Sequence, residues 1–193
     1  MSQEPLEKDE FPEIVESLGR EESRRTLYAL LFVSDRPVGV KRLAEALGDM
    51  DEEMAGVLLN ELMQELNSRE ELPYSLQQIA GGYQLITKTE YAPYIRRFFQ
   101  IKKSNRMSKA LLETLAVIAY KQPVTRAEVE AIRGVSVSYA FDQLQEKRFI
   151  RISGVADLPG RPKLYRTTEE FLMAFGLQSL KELPSLDELK IMD

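Results

Sequence analysis

The stretch from Leu111 to Gly134, LLETLAVIAYKQPVTRAEVEAIRG, decides where two consecutive helices begin and end. Its first half has apolar residues at spacings of three and four, which is the pattern of a helix with one buried face. These residues are Leu111, Leu112, Leu115, Ile118 and Ala119. Pro123 ends this helix because proline lacks an amide hydrogen and clashes with the preceding turn.

A capping box begins the second helix two residues later. Thr125 and Glu128 have the spacing at which the threonine hydroxyl accepts the Glu128 amide while the carboxylate accepts the Thr125 amide. Val129 and Ile132 give the short helix an apolar edge, and Gly134 can take the left-handed conformation that ends it.

A third helix and two strands follow, which together predict a winged helix. The helix spans residues 136 to 147 and directs inward Val137, Ala140, Phe141 and Leu144. The strands run from Phe149 to Ser153 and from Lys163 to Thr167, and their long loop contains Pro159-Gly160-Arg161-Pro162.

The first half of the chain has the same order of elements. Its first helix starts at Arg24, stops near Pro37 and has on its apolar side Leu27, Leu30, Leu31 and Phe32. A short helix covers residues 40 to 47, and a third begins at residues 49 to 51 with inward Met54, Val57, Leu58, Leu62 and Leu66. Strands at residues 74 to 79 and 83 to 87 are predicted to turn at Gly81-Gly82.

An internal repeat supports a duplicated fold. At an offset of 86 residues, Pro37-Val38 corresponds to Pro123-Val124 and Gly48 corresponds to Gly134. The fold class is therefore predicted as mainly α with small β-hairpins, in tandem winged-helix domains. The predicted parts are an acidic leader at 1–22, a first domain at 23–100, a basic linker at 101–107, a second domain at 108–176 and a leucine-spaced tail at 177–193.

The composition restricts the chemistry that the chain can perform. The 193 residues contain neither cysteine nor histidine, which removes thiol nucleophiles, imidazole bases and the usual zinc ligands. No serine–lysine or paired-carboxylate constellation stands out, so we expect no enzyme, no metal and no cofactor. No apolar run approaches the roughly 18 residues of a membrane span, and the start lacks the basic region of a signal peptide, so we expect a cytoplasmic protein.

Charge is spread unevenly along the chain. Residues 1 to 22 carry −6 and residues 90 to 112 carry +5, within a total of −5. Two interpretations of the leader are open: a solvated tail, or a short amphipathic helix formed by Phe11, Ile14, Val15 and Leu18. The basic segment is equally ambiguous. Its cations are a candidate nucleic-acid contact, or they are solvated beside a helix that buries Tyr91, Tyr94, Ile95 and Phe98.

A winged helix often places its third helix in the major groove of DNA, which makes a transcriptional regulator the alternative function. The third helix of the first half, however, contains no lysine or arginine and carries Asp51, Glu52, Glu53, Glu61 and Glu65. The equivalent helix of the second half balances two acids against two cations. Since phosphate attraction supplies most DNA affinity, the charges disfavour this alternative.

The end of the chain combines one more helix with a leucine repeat. Thr167 to Glu170 matches a capping box, and the helix that it begins ends at Gly176 after Phe171, Leu172 and Phe175. Leucines then recur at every third residue: Leu177, Leu180, Leu183, Leu186 and Leu189. They either fold back onto the second domain or present a docking segment to a partner.

Four passages resemble the segregation and condensation protein B family, an accessory subunit of the bacterial SMC condensin complex. They are GGYQLITK (81–88), ETLAVIAYKQPVTRAEVEAIRGV (113–135), GRPKLYRTTEEF (160–171) and FGLQSLKELPSL (175–186). The resemblance implies a homodimer formed chiefly through the first domain, binding to the middle of a kleisin subunit that bridges SMC ATPases, and no enzymatic activity. The chain departs from the family pattern at Lys147-Arg148-Phe149 and at Arg166, where glycine is common.

These inferences predict a non-catalytic subunit for chromosome condensation and segregation. Candidate partner or dimer contacts are Tyr83, Tyr91, Phe99, Leu177, Leu180 and Leu183, each of which has a place in its own domain core as the alternative. Candidate auxiliary DNA contacts are Lys102, Lys103, Arg106 and Arg161. Arg161 equally fits a rigid turn between Gly160 and Pro162.

Overall fold

The computed structural model describes residues 19–48, 50–100 and 107–185. In each half, three helices precede an antiparallel hairpin, so the predicted tandem winged-helix architecture is confirmed. The helices are α1 Arg20–Val33, α2 Val40–Ala46, α3 Glu52–Ser68, α4 Ala92–Phe98, α5 Lys109–Lys121, α6 Arg126–Arg133, α7 Ser138–Glu146 and α8 Glu169–Phe175. The strands are β1 Tyr74–Ile79, β2 Gly82–Thr87, β3 Val124–Thr125, β4 Ile150–Val155 and β5 Lys163–Thr167. Short 3-10 turns occupy Thr89–Tyr91 and Leu180–Glu182.

The described chain divides into two compact units. The first unit contains the described residues up to Gln77 together with 82–89, and the second contains 78–81 and the described residues from Glu90 onward. Within these residues, no helix is both long enough and apolar enough to cross a membrane. The sequence-based boundaries of the leader, linker and tail stay predictions.

The core of the first unit is built mainly from leucines of α1, α2 and α3. The buried residues are Leu27, Leu31, Leu43, Leu47, Leu58, Leu59, Leu62, Leu66, Leu76 and Tyr83. Three positions predicted to point inward are wrong, because Phe32, Met54 and Val57 are exposed. The other inward positions predicted for α3, Leu58, Leu62 and Leu66, are confirmed, and its buried face also includes Ala55 and Leu59.

The first hairpin turns at Ala80-Gly81, one residue before the predicted turn. Both residues have positive φ, +50° and +75°, as a two-residue hairpin turn of type I′ requires. Gly82 is instead the first residue of β2. A Cβ at Gly82 would lie 2.9 Å from the Val38 backbone, so this glycine permits the close approach of the Pro37-Val38 segment.

The second unit confirms the capping box and its glycine stop. The Thr125 amide donates to Glu128 Oε2 at 2.7 Å, the Glu128 amide donates to Thr125 Oγ1 at 3.3 Å, and Gly134 has φ +68°. The core contains Leu111, Leu115, Ile118, Ala119, Val124, Val129, Val137, Phe141, Leu144, Ile150, Tyr165 and Phe171. Leu112 and Ile132, predicted on the apolar faces, are exposed.

In each unit, the residue that follows a proline forms backbone hydrogen bonds with the second strand of the wing and so connects the helices to the hairpin. In the first unit, Val38 and Tyr83 exchange two backbone hydrogen bonds of 2.9 Å. In the second, Val124 pairs with Tyr165 and completes a three-stranded sheet of order β3-β5-β4. This repeated bridge, with positive φ at both Gly48 and Gly134, bears out the offset of 86 residues.

The helix α8 is capped one residue later than predicted. Thr168 rather than Thr167 is its N-cap, and the Thr168 hydroxyl accepts the Phe171 amide at 3.3 Å. Thr167 is occupied elsewhere, since its amide and hydroxyl both donate to Gln122 Oε1, at 2.8 and 3.0 Å. The predicted stop at Gly176 is confirmed by its φ of +66°.

The helix α7 ends in a Schellman motif whose left-handed residue is an arginine. The Arg148 amide donates to the Gln145 carbonyl at 2.9 Å and the Phe149 amide to the Leu144 carbonyl at 2.8 Å. Arg148 has φ +59°, a conformation that costs an L-residue roughly 1–2 kcal/mol and glycine far less. This left-handed residue lies within the Lys147-Arg148-Phe149 span, where the resemblance leads us to expect a glycine.

Replacing Arg148 by glycine is expected to stabilise the second unit by about 0.5–1 kcal/mol, because relief of the left-handed strain exceeds the extra entropy of the unfolded chain. Native-state hydrogen exchange of the α7 and β4 amides measures this. Lys147→Gly is the control, since Lys147 has φ −73° and should lose about 0.5–1 kcal/mol. Equal effects of the two substitutions would contradict the prediction.

Acid should weaken the α6 cap. The Thr125 amide and hydroxyl, which donate to the Glu128 carboxylate, hold the pKa of Glu128 below its usual value of 4.5. A carboxylate whose pKa is lower in the folded state than in the unfolded state stabilises the fold at pH values above its unfolded-state pKa. This stabilisation is lost as the pH falls through the folded-state pKa. The stability difference between the parent and Glu128→Gln should therefore shrink from about pH 6 to about pH 3, as measured by thermal unfolding. A constant difference would show that the cap does not depend on this charge.

Candidate protein-binding surface

The short helix α4 and its C-cap residue present three exposed aromatic side chains, which we call the α4 aromatic face: Tyr94, Phe98 and Phe99. They are 73%, 79% and 67% exposed, and the two phenylalanine rings meet edge to face at 5.1 Å. The expectation that Tyr94 and Phe98 form a buried face is wrong, because none of the α4 residues is buried. Phe99, predicted as a partner contact, is exposed as that role requires.

Positive charge accompanies this aromatic face. Arg96 and Arg97 lie in the last turn of α4 and are exposed, and they have no ion pair with a carboxylate of the described chain. Tyr91, at the helix start, is half-buried, and a hydrogen bond with Glu90 raises the pKa of its phenol. Exposed aromatic area beside free cations is typical of a surface that recognises an apolar, acidic partner.

The other predicted contacts have mixed positions. Tyr83 is only 4% exposed and donates from its hydroxyl to Asn60 Oδ1 at 3.0 Å, so the exposure expected for it is wrong. Leu177 and Leu183 pack against the core of the second unit, which confirms fold-back for these two leucines. Leu180 remains 39% exposed, whereas Leu186 and Leu189 lie outside the described residues. A partner role for any of them stays a prediction.

The candidate DNA contacts are tested little by the structure. Lys102, Lys103 and Arg106 lie outside the described residues. Arg161 is exposed in the tight wing turn, where it has φ +43° and its amide donates to the Leu158 carbonyl at 2.8 Å. The turn accounts for the positive φ of Arg161, while its exposed side chain is available for a contact.

The acids of the third helices pair within their own units. Glu61 of α3 lies 2.5 Å from Arg20, and Glu65 forms an ion pair with Arg24. In the second unit, Asp142 of α7 lies 3.8 Å from Arg126. These acids would face the phosphates if either helix entered a DNA groove, so they disfavour base recognition by the helices.

Sequence reasoning missed two surface features. The exposure of Tyr94 and Phe98 is the first, because aromatic residues at helical spacing usually pack inward, and burial is one of the two alternatives that the sequence leaves open. The second feature is a group of exposed cations on the wing of the second unit, which lies within a segment, residues 113 to 180, whose net charge is only +1. Counting charge per hairpin rather than per domain would have found it.

Similarity to known proteins identifies the family. The model of the family described as segregation and condensation complex subunit ScpB matches residues 25–186. The chain belongs to this family. A segregation and condensation protein B of Symbiobacterium thermophilum is 45% identical over 164 residues, covering 83% of this chain and 72% of that protein. The protein of the same description from Desulforamulus reducens is 44% identical over 176 residues, covering 90% and 94%.

Two solved structures of ScpB proteins are also similar to this chain. ScpB from Mycobacterium tuberculosis is 34% identical, with a TM-score of 0.40, and the match covers 83% of this chain and 98% of that one. A dimer of a ScpB N-terminal domain complexed with ScpA peptide is 30% identical, with a TM-score of 0.37 and coverage of 40% and 95%. The family makes the chain a ScpB-type subunit of the segregation and condensation complex.

The folded-back leucines provide a test of the tail. Leu183→Ala should destabilise the second unit by about 1–2 kcal/mol because it removes a partly buried side chain from the core surface. Leu180→Ala is the matched control and should cost less than about 0.5 kcal/mol. Hydrogen exchange in α5 and α8 reports both values. If Leu180→Ala lowers the free energy of unfolding as much as Leu183→Ala does, the prediction that only Leu183 contributes to the core is wrong.

Proposed function

We propose that this chain is a non-catalytic subunit that acts in chromosome condensation and segregation by dimerising through its first winged-helix domain and binding the central region of the kleisin subunit. Through the kleisin it would join the SMC ATPase. The observation that carries the proposal is the match of the ScpB family model to residues 25–186. Such a subunit would be cytoplasmic and associated with the nucleoid through its complex.

The amino-acid composition supports a non-catalytic role. Without cysteine or histidine, the chain has no thiol nucleophile and no imidazole base. These features agree with a subunit whose work is protein recognition.

The α4 aromatic face is the surface that we assign to the kleisin. Its three rings provide apolar area that the described part of the second unit leaves uncovered, and Arg96 and Arg97 add charge at its side. Buried aromatics and arginines supply most of the energy of typical protein interfaces. We therefore expect a kleisin segment in which apolar side chains lie next to acidic ones.

The complex described for a relative has the proposed composition, a dimer of a ScpB N-terminal domain complexed with ScpA peptide. The low TM-score means that no contact positions are transferred from it. For this chain, the choice of surface depends on the exposure and charge of α4.

The test is co-purification with a central kleisin fragment, followed by light scattering of the free and bound forms. The double variant Phe98→Ala/Phe99→Ala should weaken fragment binding by at least about tenfold, which corresponds to about 1.4 kcal/mol or more lost from two interface aromatics. Its thermal stability should change little because both side chains are exposed.

Tyr139→Ala is the matched control, since Tyr139 is an equally exposed aromatic on α7. It should bind the fragment as the parent does. If the double variant loses the dimer mass but keeps the fragment, α4 is a dimer contact and the kleisin assignment is wrong. A parent chain that ignores the fragment and stays monomeric would contradict the proposed function as a whole.

A further inference from the structure

The wing of the second unit concentrates positive charge on its exposed surface. Between residues 147 and 166 the only carboxylate is Asp157. Six exposed cations lie in the same stretch: Lys147, Arg148, Arg151, Arg161, Lys163 and Arg166. None of the six forms an ion pair with a carboxylate in the described part of the chain. We call this surface the basic wing.

Two of these arginines lie directly opposite each other in the sheet. Arg151 of β4 pairs in register with Arg166 of β5. Residues adjacent to Arg166, Tyr165 and Thr167, are buried, so the alternation of the strand directs Arg166 away from the core. Like charges directly opposite on neighbouring strands destabilise a sheet. An arrangement that is unfavourable to the isolated fold is explained if an anion binds between the two guanidinium groups.

The surroundings of the arginine pair are partly polar. Arg151 and Arg166 border a depression of about 780 Å³ that is also lined by Gln122, Glu169 and Glu170. The two glutamates are the first residues of α8, and their negative charge would repel an anionic ligand on that side of the depression. Towards the wing tip, Lys163 and Arg161 continue the positive charge, and Asp157 is the only acid of this stretch of sequence. Glu130 of α6 lines a shallow depression together with Lys163 but forms no ion pair with it in the described part of the chain.

The extent of the charge favours a polyanion over a single carboxylate. One acidic side chain would need one arginine, whereas these cations extend from the base of the hairpin to its tip. Arginine is well suited to phosphate because its planar group donates two parallel hydrogen bonds. Asp142 on α7 discourages entry of that helix into a groove, so the wing would touch the nucleic acid without reading its bases.

We propose that the basic wing of the second unit binds the phosphodiester backbone of duplex DNA independently of sequence, with Arg151 and Arg166 as the central contacts. This site is separate from the α4 aromatic face, and it does not depend on kleisin binding. An acidic peptide is the competing ligand that the test must distinguish.

The test compares the full chain with the double variant Arg151→Gln/Arg166→Gln. Fluorescence anisotropy of a labelled mixed-sequence duplex of about 20 base pairs is measured over a salt series. Loss of two phosphate contacts should lower the slope of log K against log salt by about 1.8, and affinity at low salt should fall at least about tenfold. Thermal stability should be unchanged or higher, because the variant removes the repulsion between the two arginines.

Lys41→Gln/Arg42→Gln is the control for net charge, because it removes two exposed cations from α2 of the first unit. It should keep most of the affinity and slope of the parent. The proposal is overturned if both double variants behave alike, if the parent binds no duplex at low salt, or if a poly-glutamate peptide binds the wing while the duplex does not. Kleisin co-purification of the same variant should be normal, so failure here is distinct from failure of the proposed function.

Discussion

In each winged helix, the residue after a proline forms the antiparallel bridge on which the wing depends. Val38 exchanges two backbone bonds with Tyr83, and Val124 pairs with Tyr165. This contact satisfies backbone groups where the chain leaves one helix for the next and brings a tyrosine of the second wing strand into the core. Gly82 is required for the same reason, since a side chain there would collide with Val38.

The order and ends of the helices were predictable, because caps and stops are local chemistry. Asp51, Thr125 and Gly134 each act at the end that the sequence indicates. Which face is buried was less predictable at the margins of the apolar stripe. Met54 and Leu112 lie beside the buried positions of their helices and are exposed. A spacing of three or four residues does not define which of two adjacent apolar residues points inward, so the sequence alone could not exclude them from the core.

The surfaces were the least predictable part, because exposure depends on what packs against an element. The helix α4 has an apolar pattern suitable for a core, yet nothing in the described chain covers Tyr94 or Phe98. Charge behaves similarly. The glutamates Glu61 and Glu65 of α3 are engaged by arginines of α1, so a helix that looks acidic in sequence serves the packing of its own unit.

The two places where the sequence departs from the resembled glycine pattern, Lys147-Arg148-Phe149 and Arg166, differ in backbone conformation. Arg148 adopts a left-handed conformation, which glycine would take at little cost. Arg166 lies in regular strand pairing with Arg151, where no positive φ is required. Arginine at 166 therefore has no conformational cost, and its cost is the repulsion of the opposite arginine. A bound anion would remove the repulsion between Arg151 and Arg166. The positive charge of this wing, rather than its backbone shape, is therefore the property that we connect with ligand binding.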